Sequence, residues 1–79
     1  MSNPFIVPGP YAEVDQILSD ALNHKGKREH AQAAELLARA TAILETLSAT
    51  DSCAETLERL EDARDYTASN ARQAQQAAS

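Results

Sequence analysis

Two apolar doublets, Leu36-Leu37 and Ile43-Leu44, stand seven residues apart in this chain. On a helix, at about 100° per residue, that spacing draws two adjacent stripes. One is Ala33, Leu37, Ala40, Leu44 and Leu47; the other is Leu36, Ala40, Ile43 and Leu47. One neighbouring helix covers one stripe, so two stripes call for two neighbours. The segment from about Lys27 to about Ser48 is therefore expected to be a central helix, flanked on both sides. No segment alternates apolar with polar residues and β-branched residues are few, so strands are not expected. The expected fold class is all-α: a small three-helix bundle, with a helical hairpin over 27–75, a helix over 10–24, and an extended Pro-rich N-terminal arm.

The flanking helices follow from local signals. Pro10 suits a first helical position, because its missing N–H is an orphan there anyway. From it to about His24, the residues Tyr11, Val14, Ile17, Leu18, Ala21 and Leu22 share one face. Gly26 reads as the glycine just past that helix, with His24 and Lys25 complementing its negative end. The central helix lacks a Ser, Thr, Asp or Asn cap, so a hairpin and a single helix bent at Gly26 both stay open. Ser52 with Glu55 fits a capping box that opens a third helix at Cys53, running beyond Asn70. Its expected core face is Cys53, Leu57, Leu60, Arg64, Thr67, Ala71 and Ala74. The large residues end early, and the Ala/Gln/Ser-rich end is expected to fray over 76–79.

All three prolines lie in MSNPFIVPGPY, and so do two of the three aromatics, Phe5 and Tyr11. Prolines bias the residues before them toward extended backbone, so residues 1–9 read as an arm beside a helical unit over 10–75. Phe5, Ile6 and Val7 make that arm apolar. Burying each such side chain is worth roughly 1.5–3 kcal/mol. A latch is the expected role, closing over the groove between the first two helices or docking on another chain.

A chain of 79 residues gives one domain with a small core. A single cysteine, Cys53, rules out an internal disulfide, which leaves another chain as the usual stabiliser. The formal charge of −5 is uneven. Lys25, Lys27 and Arg28, against Glu29, make residues 24–30 locally basic, while acids outnumber bases on both sides. Such a chain is repelled by nucleic acid and anionic membranes. A helix-turn-helix reading fails for the same reason, since its recognition helix would open CAETLERLED. The first ten residues have neither a basic nor a long apolar segment, and the longest apolar run is Phe5–Val7, so a cytoplasmic protein without membrane spans is expected.

Catalytic and metal motifs are not expected either. His24 and His30 are six apart, whereas helical metal pairs want three or four, and no Glu-x-x-His supports them. Cys53 near a helix start could have a lowered pKa, but its expected role is packing. No phosphate loop, nucleophile elbow or dinucleotide fingerprint occurs. No cofactor is therefore expected. Glu58, Glu61, Asp62 and Asp65 form an acidic stripe, read as a solvated face or a dock for a basic partner. Tyr66 lies about 180° from the Leu57/Leu60 direction, which reads as an exposed tyrosine or an aromatic anchor for a partner.

Leu18, Ser19, Leu22, Gly26, Ala31 and Ala38 fall at spacings that resemble the small-residue pattern of one tetratricopeptide-type hairpin over residues 15–43. Arg28 and Glu35 stand where that family has aromatics, and the closing proline is missing. One such hairpin cannot form a solenoid, which takes about three repeats.

These residues lead to a non-catalytic expectation. The chain binds a partner protein, self-associates, or does both, through Phe5, Ile6, Val7, Tyr66 and the acidic stripe. The alternative is an acidic decoy of the kind carried by phages and mobile elements, which would occupy a basic site on a nucleic-acid-binding protein through Glu58, Glu61, Asp62 and Asp65.

Overall fold

The computed structural model describes residues 10–78, with side chains from 11 to 77. Three helices follow one another: α1 (Pro10–Gly26), α2 (His30–Thr50) and α3 (Ala54–Ala78). Connections this short make sequential helices antiparallel neighbours, so the order is up, down, up. α1 and α2 are separate helices, which settles the hairpin against the single bent helix. α2 packs along both others, while α1 and α3 meet far less. The protein is thus an all-α three-helix bundle built around α2. α3 continues to Ala78, past the boundary expected at 75. The arm residues 1–9, with Phe5, Ile6 and Val7, lie outside the described residues.

The central stripe of α2 is sealed as far as Leu44, while Leu47 at its end is only half-buried. Ala33, Leu37, Ala40 and Leu44 are fully buried, and the last three share one cluster with Val14, Ile17, Leu18 and Ala21 of α1 and Leu60 and Ala63 of α3. The second stripe is half covered, with Leu36 and Ile43 packed partly against the same core. The hub role of α2 therefore rests mainly on the Leu37/Leu44 stripe.

The α1–α2 turn corrects one expectation. Gly26 is still helical and has ordinary negative φ; the left-handed residue is Arg28, with φ of 65°. Glu29 N–H donates to the His24 carbonyl at 2.8 Å, and Arg28 N–H to the Lys25 carbonyl at 3.1 Å. That is a Schellman ending, displaced two residues beyond Gly26. Its two flanking residues, which usually make an apolar contact, here make a polar one: His24 Nδ1 pairs with Glu29 Oε1 at 2.9 Å. This occupies the Glu29 carboxylate, so α2 begins without a side-chain cap.

α3 corrects two more. Leu57 N–H donates to the Cys53 carbonyl at 3.1 Å, so Cys53 rather than Ser52 is the cap residue, and the Ser52/Glu55 box does not form. The buried face is Thr56, Leu60, Ala63 and Asn70, rotated roughly 55° from the expected face at 100° per residue. Leu57 is left 48% exposed, while Tyr66 is drawn against the core. The two lie on opposite sides of α3, so burying one exposes the other. Tyrosine offers more area, and small Ala63 beside it lets the helices approach.

Candidate functional site

α1 and α3 both start at the same end of the bundle, and side chains tie them there. The Tyr11 hydroxyl hydrogen-bonds with Thr56 Oγ1 and lies 3.1 Å from Cys53 Sγ, while Cys53 Sγ is 3.2 Å from Thr56 Oγ1. Thr56 is almost fully buried, so this closed triangle satisfies its hydroxyl. Hydrogen bonding from Thr56, then from Tyr11, holds the Cys53 thiol below its ordinary value. The same contact with Cys53 raises the Tyr11 phenol. Arg59 lies over the Tyr11 ring, 4.2 Å from its centre, and donates from Nε to Asp15 Oδ1 at 3.0 Å. The hydrogen bond to Asp15 raises the Arg59 pKa further, which keeps it cationic.

Beyond this tie, α1 and α3 part to leave a groove of about 490 Å³. Leu18, Leu22 and Tyr66 supply its apolar lining, and Asp15, Glu58 and Asp62 its carboxylates. Leu22 is 38% exposed, too open for a residue that only fills a core. The expected anchor Tyr66 is thus a half-buried wall of a groove rather than a lone projecting ring. The acidic stripe divides: Glu58 and Asp62 turn into the groove, while Glu61 and Asp65 stay exposed outside its lining.

At the opposite end, the finish of α1, the start of α2 and the last turns of α3 border a second, half-open recess of about 580 Å³. Its walls include Lys25, Arg28, His30 and Gln73. His30 is fixed by a reciprocal pair: its Nδ1 bonds Asn70 Oδ1 at 3.0 Å, and Asn70 Nδ2 donates to the His30 carbonyl at 3.0 Å. That pair accounts for buried Asn70.

His24 and His30 each bond a different partner, and no group of three or more His, Cys, Asp or Glu among the described residues could hold a metal ion. No helix among the described residues is long and apolar enough to cross a membrane.

Tyr11, Asp15, Arg59 and Asn70 were not legible as a set. One signal was available: short connections put the starts of α1 and α3 at the same end, which brings Tyr11 near Cys53 and Thr56. No family model, curated protein or solved structure matches this chain.

Proposed function

We propose that this is a small, non-catalytic, cytoplasmic protein-binding protein whose α1/α3 groove receives a basic amphipathic helix of a partner. The observation that carries this reading is the pairing of an apolar floor (Leu18, Leu22, Tyr66) with a carboxylate rim (Asp15, Glu58, Asp62) in one groove. An amphipathic helix lays apolar side chains into such a groove, and its lysines or arginines meet the rim. Tyr66 would be the main anchor, since tyrosine brings a large contact area at low entropic cost. The Phe5–Val7 arm is assigned a second apolar contact, with the partner or with another copy of the chain.

The test is a titration of the isotope-labelled protein with a synthetic helical peptide bearing leucines on one face and lysines on the other. Shifts should centre on Leu18, Leu22 and Tyr66. Tyr66→Ala should weaken binding by roughly tenfold or more. A peptide with glutamates in place of the lysines should not bind; equal binding of both rejects the reading. Deleting residues 2–9 tests the arm: unchanged melting temperature, oligomeric state and peptide affinity would remove it from the proposal.

The acidic decoy remains a second reading, favoured by the exposure of Glu58, Glu61, Asp62 and Asp65 along one helix. Salt separates the two. Decoy binding should collapse as ionic strength rises, whereas groove binding with an apolar floor should largely survive.

A further inference from the structure

The recess at the turn end of the bundle has a composition unlike the rest of the molecule. The chain carries 12 acids against 7 Lys and Arg. Among the described residues no carboxylate lines this recess, yet Lys25, Arg28 and His30 do. The nearest acid in sequence, Glu29, is bonded to His24. Lys25 and Arg28 have no carboxylate partner among the described residues, in contrast to Arg59 with Asp15. They meet here because of the turn: Arg28 sits in the left-handed conformation at its apex. Glycine is the usual occupant of that position, so an arginine there carries a backbone cost. α2 also begins at this recess with no side-chain hydrogen bond capping its first N–H groups.

We propose that this recess binds a small phosphate-bearing molecule of about mononucleotide size. Lys25 and Arg28 would hold the phosphate, the guanidinium by paired hydrogen bonds and the ammonium as a point charge. The volume of about 580 Å³ far exceeds a bare ion and falls within the range of small-molecule sites, roughly 300–1,000 Å³. Leu22 and Ala77 offer an apolar wall and the Gln73 amide a hydrogen bond for the organic part. The charge map limits the ligand to a small one. An extended polyanion leaving the recess would meet a molecule of net charge −5, which repels it.

The experiment is calorimetry and amide-shift titration of the full chain at low salt. The probes are inorganic phosphate, adenosine 5′-monophosphate, adenosine and a short single-stranded oligonucleotide. The monophosphate should shift amides at Leu22, Lys25, Gly26, Arg28, His30 and Gln73. It should bind about tenfold or more tightly than phosphate, with adenosine silent. Lys25→Gln combined with Arg28→Gln should lower that affinity at least about tenfold while helical content stays the same. Arg39→Gln and Arg72→Gln, which remove cations outside the recess, should leave it intact. No shift at these amides, unchanged affinity in the double variant, or equal losses in the Arg39 and Arg72 variants would overturn the site. Phosphate binding as tightly as the monophosphate, or the oligonucleotide binding more tightly, would overturn the ligand class.

Discussion

At the end where α1 and α3 begin, polar groups answer one another. Tyr11, Cys53 and Thr56 close a triangle, and Arg59 pairs with Asp15 while covering the Tyr11 ring. At the end where they finish, Asn70 and His30 are matched, but Lys25 and Arg28 face a recess with no carboxylate in its lining among the described residues. The difference teaches which polar residues hold the fold and which are left without an ion-pair partner among the described residues. A satisfied buried network rigidifies its surroundings, and cations gathered without acids do not. The α1/α3 groove opens between the two ends, so a partner would enter a seam already fixed at one end.

The core that both ends share gives the largest expected effect. Leu37→Ala and Leu44→Ala each remove a fully buried side chain from the hub and should cost about 2–5 kcal/mol. Small domains have little stability in reserve, so either variant should be substantially unfolded in urea titrations followed by circular dichroism. Leu44 lies nearer the tied end and Leu37 nearer the recess. A near-zero cost at Leu37 alone would show that the recess end contributes little to folding.

The next effect tests whether the recess end has a structural tie of its own. Asn70→Ala strips the partner from the His30 ring and carbonyl and should cost about 1–3 kcal/mol. Amide exchange should then quicken around His30 before it quickens around Tyr11. Uniform quickening would mean that the two ends do not open separately.

How much of this could be read from the chain depended on how many helices a feature involves. The doublets of α2 were legible because one helix carries the whole pattern, and Leu37 and Leu44 are buried as the stripes require. The face of α3 was not. Leu57 and Tyr66 compete for the core from opposite sides of one helix, and propensity does not choose between them. The choice is made by Thr56 meeting Tyr11, a contact 45 residues apart in sequence. The same holds for Ser52 and Cys53. Ser52 is the better cap by type, but Cys53 is the residue that reaches both Tyr11 and Thr56. The glycine rule likewise pointed to Gly26, whereas the Schellman bonds place Arg28 in the left-handed position.

The tied end should show a two-sided pH dependence. Cys53 titrates below its ordinary value, so its contribution is complete above the unfolded thiol pKa and fades as pH falls through the folded one. Tyr11 titrates above its ordinary value, so its contribution is complete below the unfolded phenol pKa and fades as pH rises through the folded one. Melting temperature should therefore climb through the thiol range and drop beyond the phenol range. Cys53→Ala should lower it by a few degrees and flatten the climb; Tyr11→Phe should flatten the drop. A profile that both variants leave unchanged would dissolve the triangle as a working unit.

The smallest effect separates the two ends most sharply, because stability and binding should move in opposite directions. Arg28 holds a left-handed backbone that costs an ordinary residue about 1–2 kcal/mol, while glycine adopts it freely. Glycine also adds freedom to the unfolded chain, which returns about 0.5–1 kcal/mol of that gain. Arg28→Gly should therefore stabilise the protein by roughly 0.5–1 kcal/mol net, and it should weaken adenosine 5′-monophosphate binding at the recess. No substitution in the Tyr11 triangle should combine a gain in stability with a loss of binding, since its groups are matched to one another. If Arg28→Gly lowered the melting temperature instead, the guanidinium would be supporting the turn. The recess end would then resemble the tied end, and the contrast between them would fail at its clearest point.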